Sequence, residues 1–309
     1  MVTAGVQTWG TALPRLREFW SCAEDLGYHR ITYGDGLWPW SHDGWSVLGA
    51  LAVLTRRCRI GPAVTYCFGP TARHPSWLAK ASVTVDHLSG GRLDLRLGIG
   101  AESRPAADLW LSHGIDYPEA RHRVACLAEG IEVIRGLWAG SPVDFAGDFF
   151  SLKGATLEPR PLQVPAPPVW VAAMSARALR VAARWGDGWE ASYLSPAGFA
   201  RKWAELRALV EDAGREPVRM RRSVEVDVVI GRDAGAAGEA RRRFCRSRGI
   251  PTDHPLMDTA LVGEPGAVLG QIAEYEAAGV TDLMCAFADF PGLEMLTLFA
   301  QEILPSLNR

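Results

Sequence analysis

The chain has 309 residues, 48% hydrophobic and 22% charged, proportions that suit a large folded core and argue against wholesale disorder. A formal charge of −2 supplies no general attraction to nucleic acid or anionic lipid, and the basic run Arg241-Arg242-Arg243 reads as the solvated face of a helix. No stretch is apolar over a membrane-spanning length, no export signal is read at the start, and six cysteines are scattered without a C-x-x-C pair, so a reduced, cytoplasmic protein is expected.

Strand-like and helical runs alternate in chain order. A strand at 5–9 precedes a helix at 13–26, a strand at 30–33 a helix at 45–55, and a strand at 59–66 a helix at 75–88. A strand at 93–100 is followed by the helix 119–138, whose Val124, Leu127, Ile131, Ile134 and Leu137 recur at i, i+3, i+4 spacing. The second half repeats the pattern with 169–173 and 175–185, 188–192 and 196–213, 220–230 and 233–248, then 282–287 and 292–307. Eight β-α units, near-continuously apolar strands and no opening G-x-G-x-x-G predict a closed (β/α)8 barrel of TIM type, an α/β fold, rather than an open doubly wound sheet. No linker divides it, so residues 1–309 are expected to form one domain. Three long connections, 101–117, 140–168 and 250–265, are expected as loops walling an active site at the C-terminal face, with a short hairpin (143–145 and 149–152) in the second and a further helix at 267–278.

The turn Ala173-Met174-Ser175-Ala176 joins the fifth strand to its helix. A hydroxyl and several free amide N–H groups at a helix start favour phosphate, and capping by Ser175 uses the same geometry. No H-E-x-x-H, G-x-S-x-G or Walker pattern occurs, so no metal site is assigned and hydrolase chemistry has little support.

Several phrases stand in a fixed order: Arg73-His74-Pro75; Asp86-His87-Leu88-Ser89-Gly90-Gly91-Arg92 leading into Leu97-Gly98-Ile99-Gly100; Ile134-Arg135-Gly136-Leu137-Trp138; Gly147-Asp148-Phe149-Phe150; Pro159-Arg160-Pro161; and Gly186-Asp187-Gly188-Trp189. Together they resemble the bacterial luciferase-like flavin and deazaflavin oxidoreductases, (β/α)8 barrels themselves, over almost the whole chain. The resemblance leans to members using the deazaflavin coenzyme F420, with flavin mononucleotide (FMN) the alternative.

The resemblance implies site residues. Asp35 would lie beside the cofactor ring, followed by Trp40, and Gly36 stands where sugar-phosphate dehydrogenases of the family carry a catalytic His. The Ala63–Val64 peptide would be cis and press on the ring's rear face, bringing Thr65, Tyr66 and Cys67 near the cofactor, with Tyr66 a candidate proton donor. Gly98-Ile99-Gly100-Ala101-Glu102 permits close backbone approach and puts Glu102 at the pocket mouth; Ala101 replaces an Arg that flavin members often use for phosphate. The cofactor's phosphate would sit on Ala173, Met174, Ser175 and Ala176. Gln7, Trp9, His42, Asp43, Glu225 and Asp227 are further candidates for substrate chemistry, an inward carboxylate being costly to bury without a partner.

The implied activity is hydride transfer between coenzyme F420 and a small organic substrate, as reduction of a C=C or C=N bond in a biosynthetic intermediate. The alternatives are an FMN-dependent two-component monooxygenase using oxygen, and a non-catalytic flavin-binding protein. A homodimer is implied, with helix 45–54 a plausible contact.

Overall fold

The computed structural model describes residues 2–68 and 73–307. The first half runs β1 (Thr3–Thr8), α1 (Leu13–Asp25), β2 (Arg30–Tyr33), α2 (Gly44–Leu54), β3 (Arg59–Pro62), β4 (Thr65–Tyr66), α3 (Pro75–Ser89), β5 (Leu95–Gly98), α4 (Arg104–Ser112) and α5 (Ala120–Ala139). A hairpin of β6 (Val143–Ala146) and β7 (Ser151–Ala155) follows, then β8 (Val169–Ala172), α6 (Ala176–Trp185), β9 (Gly188–Ser192) and α7 (Pro196–Asp212). The remainder is β10 (Arg221–Ile230), α8 (Ala234–Arg248), β11 (Leu261–Gly263), α9 (Pro265–Ala277), β12 (Asp282–Phe287), α10 (Glu294–Glu302) and α11 (Leu304–Leu307).

The parallel sheet runs β3-β2-β1-β12-β10-β9-β8-β5-β4, with β11 beside β10. Its two ends belong to one stretch of chain. β3 pairs with β2 (Tyr33 opposite Pro62), β4 pairs with β5 (Thr65 opposite Leu97), and a bridge between Ile60 and Leu93 joins the same flanks. With β3 and β4 taken as one position, eight strands close the barrel, as the unit count predicts. The Ala63–Val64 peptide between the halves is cis.

Apolar strands suggest an apolar interior, yet the lower barrel is filled by charge. Arg30 bonds Asp94 at 2.6 Å and Asp282 at 3.0 Å, all three buried, and Arg96 pairs with the buried Glu190. The Trp170 ring lies beneath the guanidinium carbons of Arg30 and Arg96, at 4.8 and 4.5 Å from its centroid. Gly188 leaves room for that ring, since a β-carbon there would approach it to 2.3 Å. Removing one member of such a buried pair strands the other charge, at about 3–5 kcal/mol.

Local departures from the sequence expectation have identifiable causes. Segment 101–117 holds α4, nine residues capped by Ser103, whose Oγ accepts from Ala106 N; it is too short for periodicity to stand out. The second hairpin strand starts at Ser151 because Glu129 collects the N–H groups of Asp148, Phe149 and Phe150, which makes those residues the turn. The last helix is two, α10 and α11, because Pro305 cannot donate a helical hydrogen bond. Segment 140–168 meets the mouth only in part: residues 155–158 line a cleft with Trp45 and Arg73, and the rest lies elsewhere. The segment follows a helix and leads back to a strand start, where Gln163 bonds Arg59, Asp86 and the Leu93 carbonyl.

Candidate active site at the barrel mouth

The ends of β2 and β4 converge on Asp35. Its carboxylate is buried and fully engaged: Oδ2 accepts from Thr65 Oγ1 at 2.5 Å, and Oδ1 accepts from Arg73 at 2.9 Å and from Gly44 N at 3.2 Å. Thr65 Oγ1 in turn accepts from the Trp45 indole at 3.3 Å. Gly44 is required by this approach, since a β-carbon there would lie 2.7 Å from Asp35 Cβ. Arg73 also donates to Asp43 at 3.0 Å, and Asp43 caps α2 through Ser46 N. Burial opposes ionisation of Asp43, but the Ser46 and Arg73 hydrogen bonds hold its carboxyl below its ordinary value. Asp35 therefore ties the second strand's loop, α2, the third strand and Arg73 into one unit.

Trp40 packs near the Gly34 backbone and stacks on Trp38, with centroids 5.7 Å apart and planes at 13°. Tyr66 stands edge-on to Trp110 at 5.7 Å and beside Phe68 at 5.8 Å. Burial first, then the negative charge of Asp35, pushes the Tyr66 phenol up to about 12. It is thus a neutral hydroxyl at any physiological pH.

Val64 packs over Gly98, where a β-carbon would sit 2.7 Å from Val64 Cγ2. Beyond it Gly100 turns at φ 76°, and the Tyr117 hydroxyl donates to the Ala101 carbonyl at 2.6 Å. Ala101 and Glu102 are exposed. After β8, the neighbour of β5, Ala173 is buried and its carbonyl accepts from the Trp189 indole, while Met174, Ser175 and Ala176 are exposed. Ser175 caps α6, accepting from Ala178 N at 3.3 Å, and Ala176 and Arg177 of its first turn are exposed while Ala178 and Leu179 are buried. A phosphate seat and a cap share this geometry.

A second cluster occupies the β1, β9 and β10 side. Gln7 Nε2 and the Tyr193 hydroxyl both donate to Glu225 Oε1, at 2.8 and 3.0 Å. Asp227, two residues on, is buried; Arg248 bonds its Oδ1 at 3.0 Å, and its Oδ2 has no protein partner. Burial, helped by Glu225 and opposed by Arg248, pushes the Asp227 carboxyl up to about 6. Of the other sequence candidates, Trp9 stands apart from both clusters and His42 borders Asp43 and Arg73 in one cleft. Trp9 packs on Phe290 at 4.5 Å, and the His42 ring bonds the Thr11 carbonyl at 3.0 Å. Arg73, Trp110, Tyr117, Tyr193 and Arg248 were not singled out from sequence as site residues; only Arg73 carried a signal, through the Arg73-His74-Pro75 phrase. Among the described residues no group of three or more His, Cys, Asp or Glu side chains is placed to hold a metal ion.

The overall fold recurs in solved structures. The coenzyme F420-dependent tetrahydromethanopterin reductase of Methanopyrus kandleri superposes with a TM-score of 0.82 over 99% of each chain at 21% identity, a likeness of fold. In sequence, the F420-dependent glucose-6-phosphate dehydrogenase of Beutenbergia cavernae is 30% identical, covering 93% of this chain and 91% of its own length. The F420-dependent hydroxymycolic acid dehydrogenase of Mycobacterium tuberculosis is 28% identical, covering 93% of this chain and 82% of its own. The pattern that defines the luciferase-like monooxygenases matches residues 2–282, nine tenths of the chain and every strand up to the start of β12, and the chain belongs to that family.

Proposed function

We propose that the protein is a coenzyme F420-dependent oxidoreductase that exchanges a hydride with a small organic molecule at the barrel mouth, reducing a C=C or C=N bond. The observation that carries this reading is near-full-length similarity to enzymes named for F420 dependence. The mouth suits a flat tricyclic ring: the Ala63–Val64 backbone forms a rear support beside buried Asp35 and Thr65, and Gly100 and Ala101 line the way to a tail phosphate at Ala173, Met174, Ser175 and Ala176. When bound, the deazaflavin supplies the carbon that carries the hydride.

The chain's own residues orient and protonate. Asp35, fixed by Thr65, Gly44 and Arg73, sets the polar edge of the site; Trp40 and Glu102 border the opening. Hydride addition to one atom of a double bond leaves the other in need of a proton, and Tyr66, held neutral, is the proton source in this reading. Gly36 in place of the family's catalytic His argues against sugar phosphate. A cytoplasmic homodimer joined through α2, where Val53 is 66% exposed, accompanies the proposal, and light scattering of the purified protein tests the dimer.

The test is titration of the purified protein with F420 and with FMN, followed by turnover against unsaturated, imine and alcohol substrates. Micromolar binding of F420 with substrate-dependent oxidation of its reduced form is expected. Tighter FMN binding with substrate-dependent oxygen uptake would overturn the proposal, and F420 binding without turnover on any member of the panel would point to a binding protein.

A further inference from the structure

A cleft of about 420 Å³ opens between the loop after β2 and the α4 segment, lined by Leu37, Trp38, His42, Arg73, Trp110 and Ile115 among others. Its volume falls in the range of small-molecule sites. Leu37, Trp38, Trp110 and Ile115 give it an aromatic and aliphatic side, Ser41, His42, Asp43 and Arg73 a polar one, and Trp40, stacked behind Trp38, is 46% exposed. Its floor adjoins Tyr66: Gly36, another lining residue, sits between Trp38 and Tyr66, and a β-carbon there would lie 3.1 Å from the Trp38 ring and 3.6 Å from the Tyr66 ring. At φ 146° this position also favours glycine, so the space between the Trp38 and Tyr66 rings is left free of a side chain.

The charge lining disfavours an anionic ligand. Arg73 is the one Lys or Arg along the cleft among the described residues, and Asp35 and Asp43 already hold it at 2.9 and 3.0 Å. A phosphate or carboxylate would have to compete with two carboxylates for one guanidinium. A flat ring loses few internal freedoms on binding and gains from stacked and edge-on contact with indoles.

We propose that this cleft is the substrate pocket and that it selects a flat, uncharged, ring-containing compound whose reacting bond reaches Tyr66 through the Gly36 gap. The inference rests on the hydride-transfer reading for its chemistry: hydride adds to one carbon of the ring compound's polarised C=C bond, the π electrons pass to the other carbon, and a proton from the phenol completes the product. The reductant is a reduced deazaflavin, which is left oxidised. The Tyr66 proton is restored from solvent.

The test is calorimetric titration with 2-naphthol as the neutral planar probe and glucose 6-phosphate as the anionic competitor, on wild type, Ile115→Trp and Trp77→Ala, with F420 binding measured separately. Ile115 is half-buried in a loop, and a bulkier ring there fills the cleft; Leu37→Trp on the facing side repeats the test should that variant fail to fold. Trp77 is absent from this lining; it borders a neighbouring cleft of about 940 Å³ that shares only Arg73 with it. Saturable 2-naphthol binding is expected in wild type and Trp77→Ala, weakened about tenfold or more by Ile115→Trp, with no competition from glucose 6-phosphate. Absence of saturable binding, equal affinity in Ile115→Trp, loss in Trp77→Ala, or displacement by glucose 6-phosphate would each overturn it. Probe binding that follows this pattern in a protein that fails to bind F420 supports the pocket while refuting the cofactor reading; F420 binding without probe binding does the reverse.

Discussion

Replacing Thr65 by Val keeps the shape of the side chain and removes one hydroxyl, which separates the Asp35 network from the packing around it. That hydroxyl donates to Asp35 at 2.5 Å and accepts from Trp45 at 3.3 Å, so two buried groups lose a partner together. Thr65 is fully buried and the Asp35 side chain is 1% exposed, so water cannot take the place of the lost bond. A hydrogen bond to a charged group contributes about 1.5–3 kcal/mol, and a stranded indole N–H adds about 1, giving a loss of about 3 kcal/mol. For a chain of this length that corresponds to a fall in Tm of about 5 °C. Thr65→Ser retains the hydroxyl and loses a methyl group, at about 1 kcal/mol. Thermal unfolding of the three proteins, with F420 titration alongside, makes the comparison. A Val variant melting within about 1 °C of wild type, or a Ser variant as unstable as the Val one, would refute the assignment of Asp35 as a structurally held carboxylate.

In Gly98→Ala, the added methyl meets Val64 Cγ2 at 2.7 Å; denaturant unfolding is expected to show a loss of about 1–3 kcal/mol, with weaker F420 binding. Tyr66→Phe is expected to lower kcat about 100-fold with little change in F420 affinity, and the wild-type rate should show no decline from this group below about pH 10, because its phenol titrates near 12. Asp227 carries a raised pKa of about 6, so the native state holds a proton that the unfolded chain has released; its contribution therefore falls as pH rises from about 4 to 6. Asp227→Asn should thus gain stability relative to wild type at pH 8 and not at pH 4, measured by urea unfolding at both. Asp282 is the opposite case: burial alone would raise its carboxyl, but Arg30 and Arg221 hold it far below the ordinary range. Its stabilisation is present above about pH 4 and is lost as pH falls toward its native value, so Asp282→Asn should flatten the acid limb of the stability curve.

The fold was legible because barrel strands and helices carry different hydrophobic periods, and the strand Asp282–Phe287 is found with the same bounds that the sequence predicts. Less legible was whatever depends on side chains meeting across the barrel. Arg30, Asp94, Arg96 and Asp282 are separated by up to 252 residues yet share one buried network, and no local pattern announces a charged floor beneath apolar strands. Around Asp35 the sequence offered the carboxylate and the motif arginine Arg73, but the choice of Thr65 and Gly44 as partners follows from register and close approach. Trp110 and Tyr117 sit in a segment read as loop, and Tyr193 bonds Glu225 from a positive φ of 52°, a conformation that residue type alone does not suggest.

The third strand pairs with β2 through Pro62 and with β5 from Thr65, Ile60 alone already bridging to Leu93 on the β5 side. The seam of the ring, running from Ile60 to Tyr66, thus contains the proposed rest for the cofactor. Variation at Ala63, Val64 or Thr65 touches closure and ligand geometry at once, so a lineage has little freedom to retune the support without reopening the barrel. Ser175 lies at the rim, on a helix start outside the seam, and the tail end of the site can drift there at small cost to the ring. Divergence among such enzymes is therefore expected to accumulate where the chain merely borders the ligand, and to be scarce where it also closes on itself.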